Sequence, residues 1–213
     1  TKSPKEAPDE ETEIVIDFEH GLPKGIDGTE MAPLEILDKL NKLGAENAIG
    51  RTDLVETRLV GMKSRGVYET PAGTILHRAL RELEMITLDF ETLGMKNQLA
   101  LKYADMVYAG KWFTHFRLSM DAYMKEAAKY ITGSVRVVLY KGNIVIAGRK
   151  SPYSLYLEDL ASFGESTYDH HDATGFIKLY GLATGVQAIV HSDKPSDQGP
   201  AREMRAMAGF FEK

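Results

Sequence analysis

The sequence predicts an α+β fold, a mainly antiparallel sheet packed with helices. Three observations carry this. Val135–Tyr140 and Ile144–Ala147 are rich in β-branched residues and flank Lys141-Gly142-Asn143, which reads as a tight hairpin. Ile75, Leu76, Ala79, Leu80, Leu83 and Ile86 follow at three- and four-residue steps, as one face of a helix requires. Strands and helices then mix along the chain without the strict β-α-β alternation of a doubly wound parallel sheet.

The elements read in order as follows. Thr1 to Glu13 holds Pro4, Pro8 and many acids, the pattern of an exposed linker. Ile14, Ile16 and Phe18 alternate with Val15, Asp17 and Glu19, as in a half-buried strand. Gly21-Leu22-Pro23-Lys24-Gly25 is a turn, so a hairpin follows. Pro33 opens a helix with Leu34, Leu37 and Leu40 as its apolar stripe and Gly44 as its stop. Leu54 to Gly61 reads as a strand, and Met62 to Glu69 as a charged, glycine-bearing loop. Thr70-Pro71 starts the next helix, with a side-chain oxygen as cap and proline in the first turn. Leu99, Tyr103, Met106 and Val107 mark another helix. Phe116, Met120, Tyr123, Ala127 and Tyr130 mark a third, their steps alternating four and three. Phe176, Leu179, Ala183, Val186 and Val190 define a late helix, weakened by Gly181 and Gly185. His191 to Pro200 is a linker, and Met204, Met207, Ala208 and Phe211 form a short amphipathic tail helix.

Composition excludes several classes. At ~150 residues per domain, 213 residues make one large domain or a domain with an arm. The chain has no cysteine, which removes a disulfide framework, a Cys-ligated zinc or iron–sulfur site and a cysteine nucleophile, and fits a reducing cytoplasm. No apolar run approaches the ~20 residues that cross a bilayer. Residues 1–20 carry Lys2 and Lys5 against seven acids, which accounts for the whole net charge of −5. The remaining body is neutral, a poor partner for nucleic acid, whose phosphates call for clustered positive charge. The first residue is Thr1, not methionine, so the chain reads as cut from something longer.

Two motifs fail on mechanics. Gly142-Asn143-Ile144-Val145-Ile146-Ala147-Gly148-Arg149-Lys150-Ser151 suggests a phosphate loop, but five residues separate the glycines where four are needed, and Arg149 stands where the lysine belongs. It reads as a hairpin strand, and the chain holds no nucleotide cradle. Asp169-His170-His171-Asp172 places four polar side chains side by side, where they diverge instead of converging on an ion. A solvated loop with Asp172 capping the late helix is the better reading. No metal site and no Gly-x-Ser-x-Gly elbow follow. The segment Gly50 to Gly73 is different. It packs four basic residues, three acids and a tyrosine between glycines. Such polar loops can hold a zwitterion, with carboxylates on an ammonium and a tyrosine hydroxyl on a second polar group. The competing reading, a salt-bridged surface hairpin, is favoured by composition alone.

The run Val55-Glu56-Thr57-Arg58-Leu59-Val60-Gly61-Met62-Lys63-Ser64-Arg65-Gly66-Val67-Tyr68-Glu69-Thr70-Pro71-Ala72-Gly73-Thr74 resembles the signature of the argininosuccinate synthase family. Ala104-Asp105-Met106-Val107-Tyr108-Ala109-Gly110-Lys111-Trp112, Thr132-Gly133-Ser134-Val135-Arg136, Leu139–Asn143, Gly148–Tyr156 and Asp172–Ile177 resemble further family motifs in the same order. The resemblance covers only the family's C-terminal half. The N-terminal half, a nucleotide-binding domain with an S-G-G-x-D-S/T loop, has no counterpart in these residues. Thr57 stands where the family usually has asparagine, and Leu157 where it has a polar or acidic residue.

The resemblance implies a ligase that joins citrulline and aspartate at the expense of ATP with Mg2+, through a citrullyl-adenylate, releasing AMP and pyrophosphate in arginine biosynthesis. It implies that Glu56 and Tyr68 contact citrulline, with neither transferring a proton and no catalytic residue in this chain. An ion pair of Glu56 with Arg58 or Arg65 is the alternative, and scaffold roles fall to Arg58, Lys63, Ser64 and Arg65. The domains implied are a linker (1–13), a synthetase domain (14–174) and a C-terminal helical oligomerisation arm with its tail (175–213). A homotetramer in the cytoplasm is expected, with no membrane or nucleic-acid partner. The fragment alone is expected to be inactive, with ATP and aspartate held chiefly by the N-terminal half. The competing reading is a non-catalytic oligomerisation module that kept the fold.

Overall fold

Strand β1 (Thr12–Glu19) is the centre of a five-stranded antiparallel sheet in the computed structural model, which describes residues 1–161 and 169–191. The strand order is β3-β2-β1-β6-β7, with β2 Leu22–Ile26, β3 Thr29–Glu30, β6 Gly133–Tyr140 and β7 Asn143–Lys150. Ile14, Ile16 and Phe18 alternate inward along β1, as their spacing requires. β6 and β7 join through Lys141 and Gly142, both at positive φ (45° and 90°), the twist a two-residue hairpin needs. The residues that suggested a phosphate loop are therefore strand β7. The first hairpin turns at His20 and Gly21, and β2 already begins at Leu22 inside the stretch expected to be turn.

Helices α1 (Pro33–Glu46) and α2 (Pro71–Thr87) pack on each other and on this sheet. Ile36, Leu40, Ile75, Ala79 and Leu83 are buried against Ile16, Val135, Val137 and Leu139. The expected stripe of α2 is thus its buried face. That of α1 is not: Leu34 is 74% exposed, and the inward face runs through Ile36, Leu40 and Gly44. Steps of three residues walk about 60° round a helix each time, so the three leucines cannot share one face. Gly44 does not stop α1. It sits inside the helix because a Cβ there would lie 2.7 Å from the Pro71 Cβ, so the glycine sets how closely α1 and α2 approach. Thr70 precedes α2 but its side chain makes no cap; instead the Thr74 hydroxyl donates to the Thr70 carbonyl at 2.8 Å. α3 (Phe90–Tyr108) and α4 (His115–Ala127) pack together. They are capped by Asp89, which accepts from the Thr92 N–H, and by Thr114, which accepts from the Arg117 N–H.

The segment expected to be an exposed linker lies along the domain. The Lys2 N–H donates to the Ala45 carbonyl at 2.9 Å, Ala7 is buried and Asp9 pairs with Lys141. These contacts form one compact unit, Thr1–Tyr156. The second unit, Leu157–Lys213, contains a short helix α5 (Glu158–Ala161) and a long helix α6 (Asp172–Val190). α6 runs unbroken through Gly181 and Gly185. Its Phe176, Leu179 and Val190 are exposed, and the rings of Phe176 and Tyr180 stack at 5.2 Å. Asp172 opens the helix, and His171 Nδ1 pairs with Asp169 at 2.9 Å. The expected tail helix and most of the preceding linker lie outside the described residues. No helix among the described residues is long and apolar enough to cross a membrane.

Candidate functional site

Residues 51–69 form a separate two-stranded antiparallel ribbon, β4 (Arg51–Thr57) and β5 (Lys63–Glu69). The stretch expected to be a loop is thus the second strand. Both of its faces carry polar side chains, so no alternation of hydrophobicity marks it as a strand. The ribbon's base is pinned where Gly50, at φ +90°, touches Thr70 and Pro71: a Cβ there would lie 2.6 Å from the Pro71 nitrogen. The Thr70 N–H also donates to the Gly50 carbonyl at 2.9 Å. At the far end the Arg58 N–H donates to the Met62 carbonyl at 2.7 Å and closes the turn.

The two-residue period of a strand sorts the charges. Thr52, Leu54 and Glu56 lie opposite Tyr68, Gly66 and Ser64, so these six share one face. The other face carries Arg65 on Asp53, with Nε to Oδ1 at 2.9 Å, and Arg51 on Glu69 at 3.0 Å. Lys63 donates to Thr57 on that same side. Of the two arginines weighed as partners for Glu56, only Arg58 meets it, with Nη1 3.3 Å from Oε1. Arg65 is one step out of phase and points away.

On the first face Glu56 and Tyr68 come together. The Tyr68 hydroxyl donates to Glu56 Oε1 at 3.1 Å. Tyr68 lies four positions from Ser64, the residue paired with Glu56, with Gly66 between them on the same face, and the ring leans back across that gap. A Cβ on Gly66 would lie 2.6 Å from the ring and 2.7 Å from the hydroxyl. The missing side chain is therefore what lets the phenol reach the carboxylate. Arg58 is held in turn by Ser64, Nη2 donating to Oγ at 3.2 Å. Glu56 Oε1 collects both the phenol and the guanidinium, while Oε2 accepts no hydrogen bond from the described residues. The Glu56 side chain is 22% exposed, sheltered but reachable. Sequence reading named Glu56 and Tyr68 but missed Gly66; the i, i+2 spacing of Gly66 and Tyr68 on a strand was the available signal.

The hydrogen bond to Glu56, and then the charge of that carboxylate, hold the Tyr68 hydroxyl above its usual pKa. Tyr68 therefore stays protonated past the usual tyrosine range, and the tie to Glu56 is lost only as pH rises through the raised value. Replacing Glu56 by glutamine is expected to move one tyrosine ionisation to lower pH. Near-ultraviolet absorbance titration of Glu56→Gln, with Tyr68→Phe to identify the step, measures this; coincident curves would mean that the pair does not form in solution.

Among the described residues no group of three or more His, Asp or Glu is placed to hold a metal ion, and no glycine-rich turn opens a helix toward a phosphate. The face instead offers hydrogen-bond acceptors: Glu56 Oε2 and the lone pairs of the Tyr68 oxygen. Two acceptors side by side suit an ammonium or an amide N–H.

Residues 1–187 match the family described as "Arginosuccinate synthase C-terminal domain". Argininosuccinate synthase of Acetivibrio thermocellus is 52% identical over 188 residues, covering 88% of this chain and 46% of that protein. The relative from Clostridium kluyveri is 49% identical over 195 residues, 91% of this chain and 49% of its own length. The chloroplastic argininosuccinate synthase of Arabidopsis thaliana is 52% identical over 188 residues, 38% of its length. The chain thus spans about half the length of the curated relatives it matches, or less. With most of its residues matched and about half of them identical, the chain belongs to the argininosuccinate synthase family, within its C-terminal domain.

Proposed function

We propose that this chain supplies the citrulline-contacting part of an ATP-dependent ligase that condenses citrulline and aspartate to argininosuccinate, releasing AMP and pyrophosphate in arginine biosynthesis. One observation carries the assignment to this surface: the Glu56–Tyr68 pair on the open face of the β4–β5 ribbon. The Tyr68 proton is already committed to Glu56, so the pair presents acceptors and selects a ligand that donates. The ammonium of an amino acid is such a ligand. Arg58 holds Glu56 at the same oxygen that Tyr68 meets, which steadies the carboxylate before the ligand arrives and lowers the ordering cost of binding. Neither side chain transfers a proton; both position the substrate so that its ureido oxygen can be activated elsewhere.

We place the ATP, Mg2+ and aspartate sites chiefly in the portion of the relatives that this chain does not match. The 213-residue chain alone is therefore expected to release no AMP from ATP, citrulline and aspartate. The compartment we assign is the cytoplasm.

α6 supports a role in assembly. A 19-residue helix with exposed Phe176, Leu179, Val186 and Val190 has apolar surface that another chain can cover, and a homotetramer is the assembly we assign. The same helix favours the second reading, a module that only assembles. Kinetics of the full-length enzyme separate the two. Glu56→Gln keeps the shape but loses a charged acceptor, and is expected to raise the citrulline KM about tenfold. Tyr68→Phe removes one hydroxyl, with an expected rise of about fivefold. Citrulline kinetics untouched by both changes would refute the site and leave the assembly module.

A further inference from the structure

A second polar group, outside the ribbon face, lines a cavity of about 570 Å³ between α2, α3 and α4. His77 enters it from α2, Lys96 from α3, and Arg117, Asp121 and Lys125 from α4, with the Trp112 ring as an apolar wall. Arg117 is clamped there. Its Nη1 donates to Asp121 Oδ2 at 2.6 Å, and its guanidinium lies 4.4 Å from the centroid of the Trp112 ring. The Tyr103 hydroxyl donates to the other oxygen of Asp121 at 2.8 Å, so the acid is satisfied and cannot swing away. Arg117 is only 7% exposed, yet its Nε–H has no hydrogen-bond partner. That nitrogen is shielded from solvent, so it marks the guanidinium as incompletely paired and is not itself a contact for a ligand in the recess.

Charge points the same way. Asp121 offsets Arg117, and Glu84 offsets Lys96 at 2.7 Å. Lys125 lies within ion-pair reach of no acid among the described residues, so the cavity keeps one positive charge in excess. His77 adds a ring nitrogen at the rim. The volume lies in the range of ~300–1,000 Å³ typical of small-molecule sites, and the recess is walled by three helices.

We propose that this cavity binds a small organic or inorganic anion, a carboxylate or a phosphate, with the clamped Arg117 guanidinium as its positive floor, Lys125 as its charge partner and Trp112 as its apolar wall. Nothing in the ligase reading requires it, so it would act as a binding site beside the reaction.

Trp112 is the chain's single tryptophan, so its fluorescence reports this cavity alone. The 213-residue chain is titrated with inorganic phosphate and, separately, with succinate, each against sodium chloride of matched ionic strength. A saturable change beyond the salt control is expected with at least one anion, and the tighter of the two names the source class. Lys125→Ala is expected to weaken that binding about tenfold, with unchanged circular dichroism. Arg117→Lys keeps the charge but loses the planar fork, and should weaken it at least as much. No saturable change with either anion, or an identical curve for the Lys125→Ala variant, overturns the proposal. The second criterion stands even if Arg117→Lys fails to fold.

Discussion

Gly66→Ala is expected to raise the citrulline KM of the full-length enzyme about fivefold, as much as Tyr68→Phe, although it leaves the phenol in place and thermal stability close to wild type. The new methyl would meet the far end of the Tyr68 side chain at 2.6–2.7 Å, a separation that atoms do not tolerate. Backbone would not have to move, because the obstacle is a ring that can rotate away. Gly66 also has no positive φ, so alanine can adopt its conformation without strain. The cost therefore falls on the site. Displacing Tyr68 breaks its bond to Glu56 and removes the hydroxyl from the ligand, the same two contacts that Tyr68→Phe removes. The measurement is citrulline KM beside a melting curve for each variant. A Gly66→Ala enzyme with wild-type KM would show that Tyr68 need not lie against Glu56. A collapsed melting temperature would show that the ribbon, not the site, needs the glycine.

The second large effect is on stability. Replacing Arg78 and Arg149 together by alanine is expected to lower unfolding free energy by about 3–5 kcal/mol, whereas Glu82→Leu should change it by less than about 1 kcal/mol. Glu82 is 2% exposed, on the face of α2 that meets the sheet. One oxygen pairs with Arg78 at 2.8 Å and the other with Arg149 of β7 at 2.6 Å. The Arg149 contact is close but off the N–H axis, so it acts as charge against charge and not as an aligned hydrogen bond. Both arginines are nearly half exposed and can turn to water if the acid is removed. The acid cannot, and without them it is a buried charge with no partner. Urea midpoints of the double arginine variant and of Glu82→Leu decide the matter; equal losses would mean that the ion pairs add little beyond packing. The link matters for the site as well, since α2 begins two residues after β5 ends and anchors the ribbon's base.

Local patterns carried much of the fold. The alternation of Ile14, Ile16 and Phe18, the Lys141-Gly142 turn and the stripe from Ile75 to Ile86 each depend on neighbours a few residues away, and each is present. The misreadings share a cause. Gly44 looks like a helix stop until Pro71 arrives against it from 27 positions along the chain. Residues 62–69 look like a loop because a strand that is polar on both faces has no apolar period to read. Residues 1–11, mostly exposed, look unattached because their contacts, such as Lys2 with Ala45 and Asp9 with Lys141, are remote in sequence.

The site divides along the same line. Residue identity alone supplied the family, and with it Glu56 and Tyr68 as the pair to examine, because long ordered motifs need no coordinates. Their meeting at 3.1 Å, the exclusion of Arg65 from it, the choice of Arg58 and the space left by Gly66 belong to the folded ribbon. Strand register selects one face from two, and only pairing across the chain establishes register.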